Sequence, residues 1–135
     1  MVLLGINILG VIFCICFLLL YWIPQKTVIH PDYQLISIVS PSMEPEIHMS
    51  DKILVQKVDF SSIQVGDIIS YFTEEYPNFP ITHRVVNKYI YDDGKIKFKT
   101  KGDTNYLEDS YFVFEEQFIG ILRHRYAYLG SIIPN

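Results

Sequence analysis

Cysteine is nearly missing from this chain: Cys14 and Cys16 are the only two among 135 residues. Both lie in an apolar N-terminal run, and residues two apart on a helix do not share a face. The rest of the chain therefore has no disulfide, no thiolate nucleophile and no cysteine-held zinc site. A basic patch is also lacking, since 11 Lys and Arg are scattered among 15 Asp and Glu for a net charge of -4. That removes any compositional case for nucleic acid as a partner. Alanine occurs once, at Ala127, and the small residues that precede a secretory cleavage site are absent before Pro24. His30, His48 and His124 have no second histidine at ligand spacing, so neither a metal nor a cofactor is expected. No internal repeat or low-complexity tract is present.

What the chain does have is a long uncharged segment. Val2 to Ile23 holds 22 residues without Asp, Glu, Lys, Arg or His. As a helix rising ~1.5 Å per residue it would cover about 33 Å, enough to cross the hydrocarbon core. Tyr21 and Trp22 stand where aromatic side chains meet the headgroups. The expectation is a transmembrane anchor over 1–23, followed by one small domain over 24–135. Lys26 follows the span and only the α-amino group precedes it, so the charge rule by itself mildly favours a cytoplasmic domain.

That domain reads as strands. Gln34 to Val39 and Lys52 to Val58 are β-branched or apolar runs, and Val65-Gly66-Asp67 turns into Ile68 to Phe72. Ile81 to Ile90 is a further extended segment, and Asp92-Asp93-Gly94 turns the chain into Lys95 to Lys99, where Ile96 and Phe98 alternate with lysines. Thr73 to Pro80 carries two prolines and reads as a loop. Tyr111 to Gln117 is ambiguous, and Phe118 to Leu122 reads as a closing strand.

The chemistry-bearing residues lie in separate segments. Ser42 sits in Ser40-Pro41-Ser42-Met43-Glu44-Pro45, 17 residues beyond the apolar run at its first serine. His83 belongs to Ile81-Thr82-His83-Arg84-Val85-Val86, and Asp103 and Asp109 lie further on. A serine hydroxyl needs a base to take its proton, and a neutral histidine can do this and then protonate a leaving amine. An aspartate behind the histidine would hold its tautomer. Taken alone, Ser42 between two prolines equally fits a turn, and Met43, Arg84, Lys88 and Lys101 fit packing or surface pairing.

Ser40 to Pro45, Val65 to Ile69, Thr82 to Val86 and Lys101-Gly102-Asp103-Thr104-Asn105 through Asp109, in that order, resemble type I signal peptidases. The histidine makes the likeness one to the serine-histidine type of the endoplasmic reticulum and archaea. The resemblance implies a mainly β fold, a signal-peptidase-like catalytic domain with an N-terminal transmembrane helix. It implies a membrane-bound serine endopeptidase that cuts signal peptides from exported precursors after small residues. Ser42 matches the nucleophile, His83 the general base, and Asp103 and Asp109 the two acidic positions, with Asp109 at the place behind the histidine. Ser42 and Ser40 match the oxyanion-hole positions. It also implies membrane lipid and accessory subunits as partners, and a domain outside the cytoplasm, lumenal in a eukaryote, against the charge preference of Lys26.

Three departures stand out. Pro41 replaces the glycine common between the two serines, removing an N–H and restricting Ser40 to extended geometry. Ser50-Asp51 stands where the family has Gly-Asp. Ala127 to Pro134 resembles the approach to a second hydrophobic span that many relatives carry. A non-catalytic, membrane-tethered subunit or peptide-binding module is the rival reading. A self-cleaving serine-lysine protease of the repressor type would leave His83 unexplained.

Overall fold

The computed structural model describes residues 32–128. The anchor expected over 1–23 lies outside the described residues. Among the described residues, no helix is long and apolar enough to cross a membrane.

Among the described residues six antiparallel strands form one sheet: β1 (Tyr33–Ser37), β2 (Lys52–Gln56), β3 (Ile68–Tyr71), β4 (Ile81–Ile90), β5 (Ile96–Lys101) and β6 (Phe118–Tyr126). Their order across the sheet is β1-β2-β6-β3-β4-β5, which places β3 centrally. The mainly β expectation therefore holds. The strand ends differ from the sequence reading: β1, β2 and β3 stop at Ser37, Gln56 and Tyr71, short of Val39, Val58 and Phe72, while β5 continues through Lys101 and β6 four residues past Leu122. The ambiguous stretch before β6 contains one bridge, Val113 to Phe98, and a short 3-10 turn over Glu115–Gln117.

β3 explains how a sheet this small holds a core on each face. Successive strand residues point to opposite sides, and all of β3 is buried. Ile69 and Tyr71 enter one cluster with Phe60, Val85, Phe98 and Phe118, while Ile68 enters the other with Ile36, Ile53 and Val55. Phe60 seats edge-on against Phe98 at 4.7 Å between ring centroids. Each fully buried side chain of this size stabilises the fold by about 1.5–3 kcal/mol. The buried Ser70 hydroxyl on the opposite face meets Thr82 at 2.7 Å, so neither polar group is left unpaired inside.

The second cluster fixes the segment after β1. Ile38 extends the pairing with the β2 side, donating its N–H to Asp51 O and accepting from Ser50 N at 2.8 Å each. Beyond it the chain turns through Pro41–Ile47, with Glu44 N–H on Pro41 O and Ile47 N–H on Met43 O. Met43 and Ile47 are buried in the same cluster as Ile36 and Ile53. Met43 is therefore a core residue. The fully buried Asp51 carboxylate accepts from His48 N at 2.9 Å and from Tyr128 N at 2.8 Å, with Arg125 Nη1 at 3.5 Å. It ties this turn to the end of β6.

Candidate active site

Ser42 stands at the start of that turn, one residue before the buried Met43. Its neighbour across the fold is β4, where period-two alternation sends His83 and Arg84 to opposite sides. His83 pairs opposite Ile69 in the register and so shares the face of Tyr71. Its Nε2 lies 3.1 Å from Ser42 Oγ. Its Nδ1 lies 2.7 Å from Asp109 Oδ2. Three residues from three separate segments thus form one continuous hydrogen-bonded chain.

The protonation follows from the carboxylate. Burial disfavours the charged form of Asp109, but hydrogen bonds from His83, Thr100 and Tyr71, with the attraction of His83, hold its carboxyl below the ordinary value. An ionised carboxylate only accepts. The Nδ1 proton therefore sits between His83 and Asp109, and Nε2 is free to accept from the Ser42 hydroxyl.

Asp103 goes elsewhere. Arg84 grips it in a two-point pair, Nε to Oδ1 at 2.9 Å and Nη2 to Oδ2 at 2.7 Å. The same guanidinium donates to Glu46 and to Gly66 O. Arg84 accordingly joins the Gly102–Asn105 loop to the Ser42 turn. This loop touches the nucleophile segment directly: Thr104 donates its N–H at 3.0 Å and its hydroxyl at 3.1 Å to Ser42 O. A side chain at Gly102 would put a Cβ 2.9 Å from Ser42 O and 2.7 Å from Asn105 Nδ2. Glycine is required there because the two loops approach so closely. Lys101 Nζ donates to Asn105 O at 2.8 Å, closing the far side of the same loop.

Ser40 Oγ lies 3.1 Å from Ser42 Oγ, which puts both residues of the expected oxyanion pair at the mouth of one cavity. That cavity, about 350 Å³, is lined by Ser37, Val39, Ser42, Tyr76, Phe79 and His83 among others. Phe79 is 66% exposed, so the rim from the β3–β4 loop is aromatic and open. Among the described residues no group of three or more His, Cys, Asp or Glu could hold a metal ion. The His48 ring lies against Arg125, Nδ1 to Nη1 at 3.2 Å, and His124 stacks edge-on with Tyr126.

Sequence reasoning missed Tyr71 and Thr100, both of which touch Asp109. It also missed Glu46 and the two bonds from Thr104. Tyr71 was hidden in an apolar strand, and only the register of β3 against β4 reveals that it shares the face of His83.

No family model matches the chain. It is similar to the signal peptidase complex catalytic subunit SEC11C of Homo sapiens, 37% identical over 75 residues, covering 56% of this chain and 38% of that protein. It is also similar to signal peptidase I W of Bacillus subtilis (strain 168), 40% identical over 103 residues, or 76% of this chain and 50% of that one. The putative signal peptidase complex catalytic subunit SEC11B of Homo sapiens is 31% identical over 102 residues, covering 70% of this chain and 61% of its own length. The chain thus spans about half the length of these relatives, between 38% and 61%. By these relationships it is a type I signal peptidase-like protein.

Proposed function

We propose that this signal peptidase-like chain is a membrane-bound serine endopeptidase that cleaves signal peptides from exported precursors after small residues. The observation that carries this reading is the contact chain from Ser42 Oγ through His83 to Asp109 Oδ2, opening on one accessible cavity. His83 Nε2 takes the hydroxyl proton as Ser42 Oγ attacks the scissile carbonyl. Asp109 stays ionised, aims the ring and stabilises the imidazolium. Donors around Ser42 and Ser40 meet the developing oxyanion. Collapse transfers the proton from His83 to the leaving amine, and a water activated by the same nitrogen then hydrolyses the Ser42 ester. Asp103 supports the reaction by holding Arg84 rather than by touching His83.

A precursor entering as an extended segment would lie along the Ile38–Ser40 stretch, and bulky residues in the cavity would displace the carbonyl from the attacking oxygen. Residues 1–23 anchor the chain, and the domain faces away from the cytoplasm. Accessory subunits and membrane lipid are its partners. Matched amounts of wild type and Ser42→Ala in liposomes, given an exported precursor, test the reading. Wild type should process the precursor and the variant should not, because one oxygen is lost with little volume. Equal processing by the variant would remove Ser42 from the mechanism.

A further inference from the structure

One oxygen of Asp109 carries more hydrogen bonds than holding a histidine requires. His83 Nδ1 at 2.7 Å, Thr100 Oγ1 at 2.7 Å and Tyr71 Oη at 3.2 Å converge on Oδ2. Tyr71 Oη also lies 2.9 Å from Thr100 Oγ1. Both hydroxyl residues are fully buried and neither lines the cavity at Ser42. Tyr71 is otherwise a member of an apolar cluster, where phenylalanine would pack as well. Burying a hydroxyl is unfavourable unless it is hydrogen-bonded, so the packing alone does not call for these two oxygens.

Counting protons gives the network a direction. Each hydroxyl has one proton, and an ionised Asp109 has none to give. The shorter contact assigns the Thr100 proton to Asp109, which leaves the single Tyr71 proton shared between Asp109 Oδ2 at 3.2 Å and Thr100 Oγ1 at 2.9 Å. Thr100 holds Asp109 at a second point as well, because its backbone oxygen accepts the Asp109 N–H at 2.9 Å. The carboxylate is thereby fixed in position and in rotation. We infer that Tyr71 and Thr100 are positioning residues, a buried hydroxyl relay that fixes Asp109 Oδ2 against His83 Nδ1. The inference rests on the proposed role of His83 as base.

The groups facing Asp109 from the surrounding elements are His83 on β4, Tyr71 on β3, Thr100 on β5 and, behind Tyr71, Tyr111. Burial and the charge of Asp109 push the Tyr71 phenol up, and burial does the same to Tyr111. Both stay protonated at any working pH, so the relay keeps its donors.

The test uses the full chain in detergent micelles with Tyr71→Phe, Thr100→Val and Thr100→Ser. Carbon-13 NMR follows the Asp109 carboxyl through acid titration, nitrogen-15 NMR follows the His83 Nδ1 proton, and precursor cleavage gives kcat and KM. Thr100→Val should raise the Asp109 midpoint and lower kcat about 10- to 100-fold, the scale of one hydrogen bond to a charged group, with KM within about twofold. Tyr71→Phe should shift both in the same direction and by less. Thr100→Ser should restore both, because it keeps the donor. An unchanged carboxyl midpoint and Nδ1 signal in folded Thr100→Val, or a kcat loss shared by Thr100→Ser, would overturn the relay. If Thr100→Val does not fold, Tyr71→Phe carries the same two outcomes with only one oxygen removed. A wild type inert toward precursors counts against the peptidase reading alone, and the titration still decides the relay.

Discussion

The two aspartates offer the most informative perturbation, because the structure gives them different partners. In Asp109→Asn the carboxylate that accepts from His83 Nδ1 at 2.7 Å and from Thr100 and Tyr71 becomes an amide. The amide group can present N–H to the ring, which forces the proton to Nε2 and leaves that nitrogen unable to take one from Ser42. A wrong tautomer of this kind costs about ten-thousand-fold in kcat, with binding little changed. Asp103→Asn instead weakens a two-point ion pair with Arg84, which keeps Glu46 and Gly66 O as acceptors. Both members are mostly buried, at 28% and 23% side-chain exposure. The loss is on the order of 1–2 kcal/mol of stability, and if all of it reached the Ser42 turn, about tenfold in rate. Precursor cleavage and thermal unfolding of the two variants, side by side, separate the roles. Equal loss of kcat in both, or a larger loss in Asp103→Asn, would refute the assignment of Asp109 to His83.

Acid stability follows from the same carboxylate. The Asp109 carboxyl is held below its ordinary value when folded, so its contribution is fully present above the unfolded carboxyl value of ~3.9 and is lost as pH falls through the folded value. Urea unfolding should give a stability difference between wild type and Asp109→Asn that is constant above about pH 5 and shrinks below about pH 4; a difference that grows toward acid would reverse the sign. Ser50 has φ +77° and an exposed side chain, a conformation that costs a residue with a Cβ about 1–2 kcal/mol. Ser50→Gly relieves that strain and gives back about 0.5–1 kcal/mol in chain entropy, so the melting temperature should rise by about 3–5 °C; a fall would mean that the serine side chain matters in the turn.

That strained serine marks how far the sequence could be read. Ser50-Asp51 was visible as a departure from Gly-Asp, and the positive φ supplies the physical reason for a glycine at that position. β4 was legible to the residue, since Ile81 to Ile90 carries no Gly or Pro to break an extended run, and Gly94 at φ +82° closes the hairpin to β5 as Asp92-Asp93-Gly94 implied. The end of β6 was not legible, because Arg123, His124 and Arg125 read as a polar boundary. Their charges are instead the solvent side and rim of a strand, with Arg125 reaching Glu46 O and Asp51. Ser42, His83, Asp103 and Asp109 were legible as motif residues, and the resemblance put Asp109 behind the histidine, but spacing alone could not choose between the aspartates. It depends on how the loop after β5 folds back, with Asp109 N on Thr100 O and Thr104 N on Ser42 O, and neither bond has a local signature.

The parity of β4 then accounts for the division of labour. A one-residue step along a strand is a change of face, so His83 and Arg84 cannot serve the same side. His83 reaches inward to Ser42 and Asp109, while Arg84 reaches the other side to Asp103, Glu46 and Gly66 O. The loop from Gly102 to Asp109 begins beside Arg84 and ends beside His83, crossing the nucleophile segment at Thr104 on the way. Its first acid therefore anchors the loop and its last acid faces the imidazole. An interchange of the two roles would need a one-residue slip of β4 against β3, which would expose Val85 and bury Arg84. The apolar cluster around Val85, Phe98 and Tyr71 opposes that slip, so the core of the sheet, and not the loop alone, decides which aspartate meets the histidine.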